Sequence, residues 1–240
     1  MKKTVLILSI LLSSMQLNAQ WFLGKTIKGN GDVITKTRHT NNYDTVNVSG
    51  FFDVILVKGD EGKIQIKAES NLMDYIITEV NGDVLTIKLK NSVSINTKKG
   101  IYITVPFKDL EEITLSGSGD VVGDDIITGK KLAVKLSGSG DIRLNLDVTK
   151  VNSKITGSGD VSLSGKTVAL NSSIIGSGDF KAKNLQADIV KVNVTGSGDS
   201  VVFANHKIEA KVVGSGDIVF YGNPENENTK VTGSGDITGR

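Results

Sequence analysis

The sequence predicts an all-β protein built as a right-handed parallel β-helix with about 19 residues per coil, and three observations carry that prediction. First, the tetrapeptide Gly-Ser-Gly-Asp occurs seven times, beginning at Gly117, Gly138, Gly157, Gly176, Gly196, Gly214 and Gly233. Second, the intervals between successive starts are 21, 19, 19, 20, 18 and 19 by subtraction, a spread narrow enough for stacked, near-identical units. Third, aliphatic residues alternate with polar ones around the turns, as in Leu132, Val134 and Leu136 before Gly138 and Ile142, Leu144 and Leu146 after Asp141. That period of two belongs to strands with one buried face.

Within each repeat the corner is the best-defined element. Two residues before each first glycine stand Leu115, Leu136, Ile155, Ile174, Val194, Val212 and Val231. After each aspartate come Val121, Ile142, Val161, Phe180, Ser200, Ile218 and Ile237, with Ser200 the one polar member. A helix is excluded because the apolar segments are short and each interrupting glycine would cost about 1 kcal/mol in one. Each repeat therefore reads as strand, corner, strand and a looser second turn containing residues such as Gly165-Lys166 or Gly222-Asn223-Pro224. The corner glycines are Gly117 and Gly119, Gly138 and Gly140, Gly157 and Gly159, Gly176 and Gly178, Gly196 and Gly198, Gly214 and Gly216, and Gly233 and Gly235. Lacking Cβ, they suit φ > 0 or close approach of the next coil. The Ser and Asp side chains are expected to accept nearby backbone N–H bonds. Stacked at roughly 4.8 Å per rung, the aspartates must face water, be hydrogen-bonded, or be bridged by cations.

From Thr45 to Leu115 strands continue without the strict repeat. Gly59-Asp60-Glu61-Gly62 and Asn81-Gly82-Asp83 read as tight turns between strands, and Ser49-Gly50-Phe51-Phe52-Asp53 reads as a degenerate corner. The expected organisation is a signal peptide over 1–19, a leader over 20–42 that is either mobile or a first strand, irregular β coils forming a cap over 43–115, and the regular β-helix over 116–240. Lys2 and Lys3, the apolar run Val5 to Leu12 and the small residue Ala19 carry the signal-peptide reading. That run is shorter than the about 20 residues of a membrane span. The last corner ends at Asp236, close to the terminal Arg240, an open coil edge that suggests self-association by strand pairing.

Without the signal, 28 basic residues less Lys2 and Lys3 leave 26, against 26 acidic ones. A neutral chain with dispersed lysines offers no electrostatic footprint for nucleic acid. The sequence holds no cysteine, which excludes disulfides, thiolate chemistry and a cysteine-linked lipid anchor. Phosphate loops fail as well. Gly117-Ser118-Gly119 has Val122 where a dinucleotide fingerprint needs glycine, the stretch from Gly159 to Thr167 has one residue too many for a Walker loop, and neither precedes a helix. No cofactor is expected. Ca²⁺ on Asp120, Asp141, Asp160, Asp179, Asp199, Asp217 and Asp236 is a weak alternative to hydrogen-bonded corners, since one Asp and one Ser per coil supply few of the roughly six to eight oxygens needed. His39, in the polar leader, and His206, at a turn, are too far apart in sequence to suggest a metal cluster.

The serial Gly-Ser-Gly-Asp corners and the segment Val46-Asn47-Val48-Ser49-Gly50-Phe51-Phe52-Asp53-Val54-Ile55-Leu56 resemble the auto-transporter adhesin head GIN domain family of exported bacterial proteins, over the chain from about Tyr43 onward. The resemblance implies a pectate-lyase-like solenoid and, by analogy, a surface role; it transfers no site residues. The expected function is a non-enzymatic, adhesion-like or scaffold protein of the periplasm, outer-membrane surface or medium, binding carbohydrate, protein or itself. The alternative is a polysaccharide lyase or glycoside hydrolase on an acidic glycan. Against it stand seven nearly identical corners with no privileged carboxylate pair and Arg143 as the sole arginine inside the repeats.

Overall fold

A computed structural model describes residues 25–240; the signal-peptide assignment and the leader up to Gly24 lie outside the described residues. The chain forms β1 (Lys25–Lys28), β2 (Val33–His39), β3 (Thr45–Gly50), β4 (Asp53–Lys58), β5 (Lys63–Glu69), a 3-10 turn (Ser70–Tyr75), β6 (Ile76–Asn81), β7 (Val84–Leu89), β8 (Val93–Asn96), β9 (Tyr102–Phe107) and β10 (Glu112–Gly117). Five long strands follow: β11 (Val121–Gly138), β12 (Ile142–Gly157), β13 (Val161–Gly176), β14 (Phe180–Gly196) and β15 (Ser200–Gly214). Then come β16 (Ile218–Tyr221), β17 (Asn226–Gly233) and β18 (Ile237–Gly239).

Each strand from β10 onward pairs in parallel with its counterpart one repeat later, so Gly117 lies opposite Gly138, Gly138 opposite Gly157, and so on to Gly233. The result is a parallel β-solenoid of about seven turns and about 19 residues per coil. Its stacking is dictated by backbone contact at the corner. The first glycine takes φ between +122° and +143° in these seven repeats, and a Cβ on Gly138 would lie 2.2 Å from the carbonyl oxygen of Gly117. The second glycine needs space alone: a Cβ on Gly140 would lie 1.9 Å from the Gly119 oxygen. With the backbones this close, the Ser139 and Gly140 N–H groups both donate to the Gly117 carbonyl, at 2.9 and 3.1 Å. The flanking aliphatic residues form two continuous inner columns, buried from Leu115 to Val212 and from Val121 to Ile218. Ser200 belongs to the second column, between Phe180 and Ile218 in register.

The second turn is as expected at Gly222-Asn223-Pro224, which lies between β16 and β17, and differs from the expectation in the earlier coils. β11 to β15 run through it without leaving the ladder, because the bend is made inside the strand. Gly165, at φ +105°, lies within β13 against the Leu146 carbonyl.

In the N-terminal half, Gly50 has φ +136° and pairs with Gly117, so the degenerate corner seeds the stack. β3 and β4 each carry a regular coil on one side, β10 and β11, and β7 and β9 on the other. Asn81-Gly82-Asp83 turns the antiparallel β6–β7 hairpin as expected. Gly59–Gly62 does not make a hairpin, because β9 inserts between β4 and β5, parallel to one and antiparallel to the other. The described part of the leader is in strands: β1 pairs with β8 and β2 with β5. A fully buried carboxylate fastens it. Glu69 accepts from the Thr97 hydroxyl at 2.7 Å and from the Lys98 and Gly31 N–H groups at 3.0 and 2.6 Å. The Thr97 bond, against the opposing effect of burial, holds the Glu69 carboxyl below its usual value of 4.5, with the two N–H bonds adding to it.

Glycine at the corner is therefore testable against glycine elsewhere. Gly178→Ala would place Cβ 2.1 Å from the Gly159 oxygen and should cost about 2–3 kcal/mol in urea unfolding. Gly129→Ala, with nothing within 4 Å, should stay within about 0.5 kcal/mol of the parent.

Candidate functional site

The aspartates do form a column, and the column is a ladder of hydrogen bonds. The backbone N–H of each corner aspartate donates to the Oδ1 of the one before: Asp141 to Asp120 at 3.0 Å, Asp160 to Asp141 at 3.1 Å, Asp179 to Asp160 at 2.9 Å, Asp199 to Asp179 at 3.0 Å, Asp217 to Asp199 at 2.8 Å and Asp236 to Asp217 at 2.7 Å. One oxygen of each acceptor carboxylate is thus committed to the next rung, which offsets repulsion between like charges. The corner serines contribute differently from the expectation: their side chains are exposed, and they join the corner through their N–H groups. Among the described residues no group of three or more His, Cys, Asp or Glu side chains is disposed to hold a metal ion. His39 and His206 are both exposed, and His206 lies inside β15 rather than in a turn.

A different feature sits on the face that follows the ridge. The coils beginning at Gly117, Gly176 and Gly196 depart from the common length, and the register shows where the differences are absorbed. Two extra residues lie between Val122 and Ile126 of β11. One extra residue of β14 lies between Lys181 and Asn184, against Ser162 and Ser164 of β13. Further shifts follow between Ala182 and Gln186 and between Ala187 and Ile189. The last of these lies beyond the bend that Gly165 marks; the others fall in the stretch after the corner, where they border a cleft of about 640 Å³.

Ser162 and Ser164 of β13 floor this cleft; Arg143 and Asn145 of β12 wall one side, and Lys181, Lys183 and Asn184 of β14 the other. Bulging explains the second wall, because an extra residue lets two consecutive side chains, Lys183 and Asn184, both face outward. Two of the three cations are engaged by the ridge. Arg143 lies 3.3 Å from Asp141, and Lys181 lies 2.6 Å from Asp160 and 3.6 Å from Asp179. Lys183 has no carboxylate partner among the described residues; its Nζ sits 4.0 Å from the centre of the Tyr221 ring. Its ammonium, against some burial, draws the Tyr221 phenol below its usual value of 10, with Arg240 assisting. Burial alone would raise the Asp160 carboxyl, but the Lys181 hydrogen bond, the Asp179 N–H and the charges of Lys181 and Arg143 hold it below 3.8. A second depression, around Asp147, Lys166, Asp188 and Asn205, is internally satisfied: Lys166 bonds Asp147 at 3.1 Å and Asn205 bonds Asp188 at 3.0 Å.

Sequence reasoning singled out Arg143 but missed Lys181, Lys183, Asn184 and the two serines. The available signal was the unequal spacing of the corners, which marks the coils that bulge.

Removing one rung of the ladder should be felt. Asp160→Ala leaves the Asp179 N–H without its acceptor and Lys181 without its nearest anion, and should lower stability by about 1–3 kcal/mol at pH 7. Since the Asp160 pKa is lowered by folding, its contribution is full above the ordinary carboxylate range, about pH 4, and is lost as pH falls through the folded value. Lys181, held above 10.5 chiefly by its bond to Asp160, contributes below that value and ceases to as pH rises through its folded value. Urea titrations across pH should therefore show the two proteins converging at both extremes.

A family model described as "Putative auto-transporter adhesin, head GIN domain" matches residues 42–224. Among solved structures, a putative adhesin of Bacteroides fragilis NCTC 9343 is 26% identical, with a TM-score of 0.83 over 89% of this chain and 100% of that one. A Parabacteroides distasonis ATCC 8503 structure described as a putative lipid binding protein is 27% identical, with a TM-score of 0.74 over 90% and 100% of the two chains. A putative adhesin of Parabacteroides merdae ATCC 43184, 22% identical with a TM-score of 0.72 over 90% and 99%, shares the fold. No curated protein matches the chain. Stacked glycine corners, the solenoid they build and the match from residue 42 to 224 agree: this chain belongs to the putative auto-transporter adhesin head GIN domain family.

Proposed function

We propose that this protein is an exported, non-enzymatic, adhesion-like solenoid that binds carbohydrate in the cleft after the aspartate ridge. The observation that carries the reading is the pair of bulges on the face after the ridge, between Val122 and Ile126 and between Lys181 and Asn184, which border a cleft lined by hydroxyls, amides and cations beside aliphatic side chains. Serine hydroxyls and Asn145 and Asn184 amides both donate and accept, as sugar hydroxyls require. The family membership and the adhesin-named structure from B. fragilis support a surface role. A lipid, the ligand named for the P. distasonis structure, would need an enclosed apolar channel, whereas the aliphatic lining here, Val122, Leu144, Leu163 and Val201, lies in a cleft open to solvent.

The surroundings of the charged groups favour binding over catalysis. A general acid or base works best with its pKa near the operating pH, yet Asp160 is moved down and Lys181 up, both away from neutrality. One observation favours the alternative of a lyase on an acidic glycan: the Tyr221 phenol, beside Lys183, is moved toward neutrality. A glycan array run with purified protein, with mass spectrometry of the incubated glycans, separates the two. Retention of a glycan subset with no product is expected, and turnover of any glycan would overturn the proposal. Among the described residues no helix is long and apolar enough to cross a membrane. For export, N-terminal sequencing of protein recovered from the envelope or medium should read from Gln20; a start at Met1 would refute cleavage after Ala19.

A further inference from the structure

We propose that the cleft takes a carboxylate-bearing sugar unit of a glycan, and that Lys183 is the residue that selects for the acid group. This rests on the carbohydrate reading above and adds the ligand's charge and orientation. The walls, Arg143 and Lys181, stand two rungs apart in one outward column, roughly 10 Å at about 4.8 Å per rung. Such a width admits a sugar ring between the side chains but excludes a helix about 10–12 Å across. Along its length the cleft is electrostatically graded. Near the ridge, Arg143 and Lys181 are spent on Asp141, Asp160 and Asp179, so that end offers no free cation and repels an anion. At the far end Lys183, on a bulge that a uniform coil would lack, has no carboxylate partner among the described residues, and its Nζ lies 4.0 Å from the centre of the Tyr221 ring. One available cation at one end fits one acid group per bound unit, with the ring hydroxyls lying over Ser162 and Ser164. A polyanion would want a row of such cations.

The test is isothermal titration of the purified protein with methyl galacturonoside and sialyllactose, each carrying one carboxylate and each beside its neutral methyl ester. At least one acid form should bind more tightly than its ester. Lys183→Ala should weaken the acid form about tenfold, the loss of one charge-assisted hydrogen bond, and leave the ester unchanged. Ser162→Phe, at an outward position that spares the ladder, should abolish binding of both forms while leaving the unfolding midpoint near that of the parent. Lys154→Ala, on the face before the corner, should change nothing. Equal affinity for acid and ester, failure of both acids to bind, or full affinity in Ser162→Phe would overturn the inference. If Ser162→Phe still retains glycans on the array, the carbohydrate reading stands and the cleft assignment falls; if the parent retains none, both fall.

Discussion

Backbone packed on backbone at the glycine corner is the constraint on which the rest of the structure depends. Each corner places the carbonyl of one coil where the Cβ of the next would stand, and two N–H groups share that carbonyl. The contact leaves no room for variation in side chain or in path, so the spacing of the coils is fixed there. The aliphatic columns follow from it, because residues at fixed distance from identical corners must stack on one another. The aspartate ladder follows too, since each N–H meets the previous carboxylate only when successive corners superimpose.

A rigid edge moves all tolerance elsewhere. Extra residues cannot be taken up at the corner or in the columns beside it without breaking the stack, and most emerge on the face after the ridge as bulges, with one further shift beyond the second bend, between Ala187 and Ile189. There a bulge costs a few ladder bonds and turns neighbouring side chains to the same side. A cleft walled by such residues is thus a by-product of regularity on the other side of the coil. Its shifted groups, Asp160 and Lys181, are locked into an ion pair by the ridge, and they shape the cleft more than they act in it.

How much of this was legible in the sequence divides along the same line. The corners, the inward residues from Leu115 to Val212 and the family resemblance could be read directly, because identical local requirements repeat identical residues. The second bend was not legible as part of a strand: Gly165 looks like a turn signal, and only contact with Leu146 in the neighbouring coil makes it a kink within a ladder. The insertion of β9 between β4 and β5 escaped for a similar reason. Gly59–Gly62 has hairpin composition, while the partner that separates its strands, Tyr102–Phe107, comes much later in the chain, beyond β6, β7 and β8. Lys183 and Asn184 were invisible as a pair because strand alternation assigns neighbours to opposite faces, and a bulge suspends that rule.

The ladder along the ridge also has a direction. Each coil offers a carboxylate oxygen to its successor and an amide hydrogen to its predecessor, so every junction between coils is the same half-and-half joint. Excising one whole coil would bring together a donor and an acceptor that already match, whereas a fraction of a coil would have nowhere to go but the flank. The solenoid behaves as a ruler whose graduations can change in number but not in pitch, and a lineage of such chains would diversify by whole-unit duplication along the axis and by single-residue drift on one side.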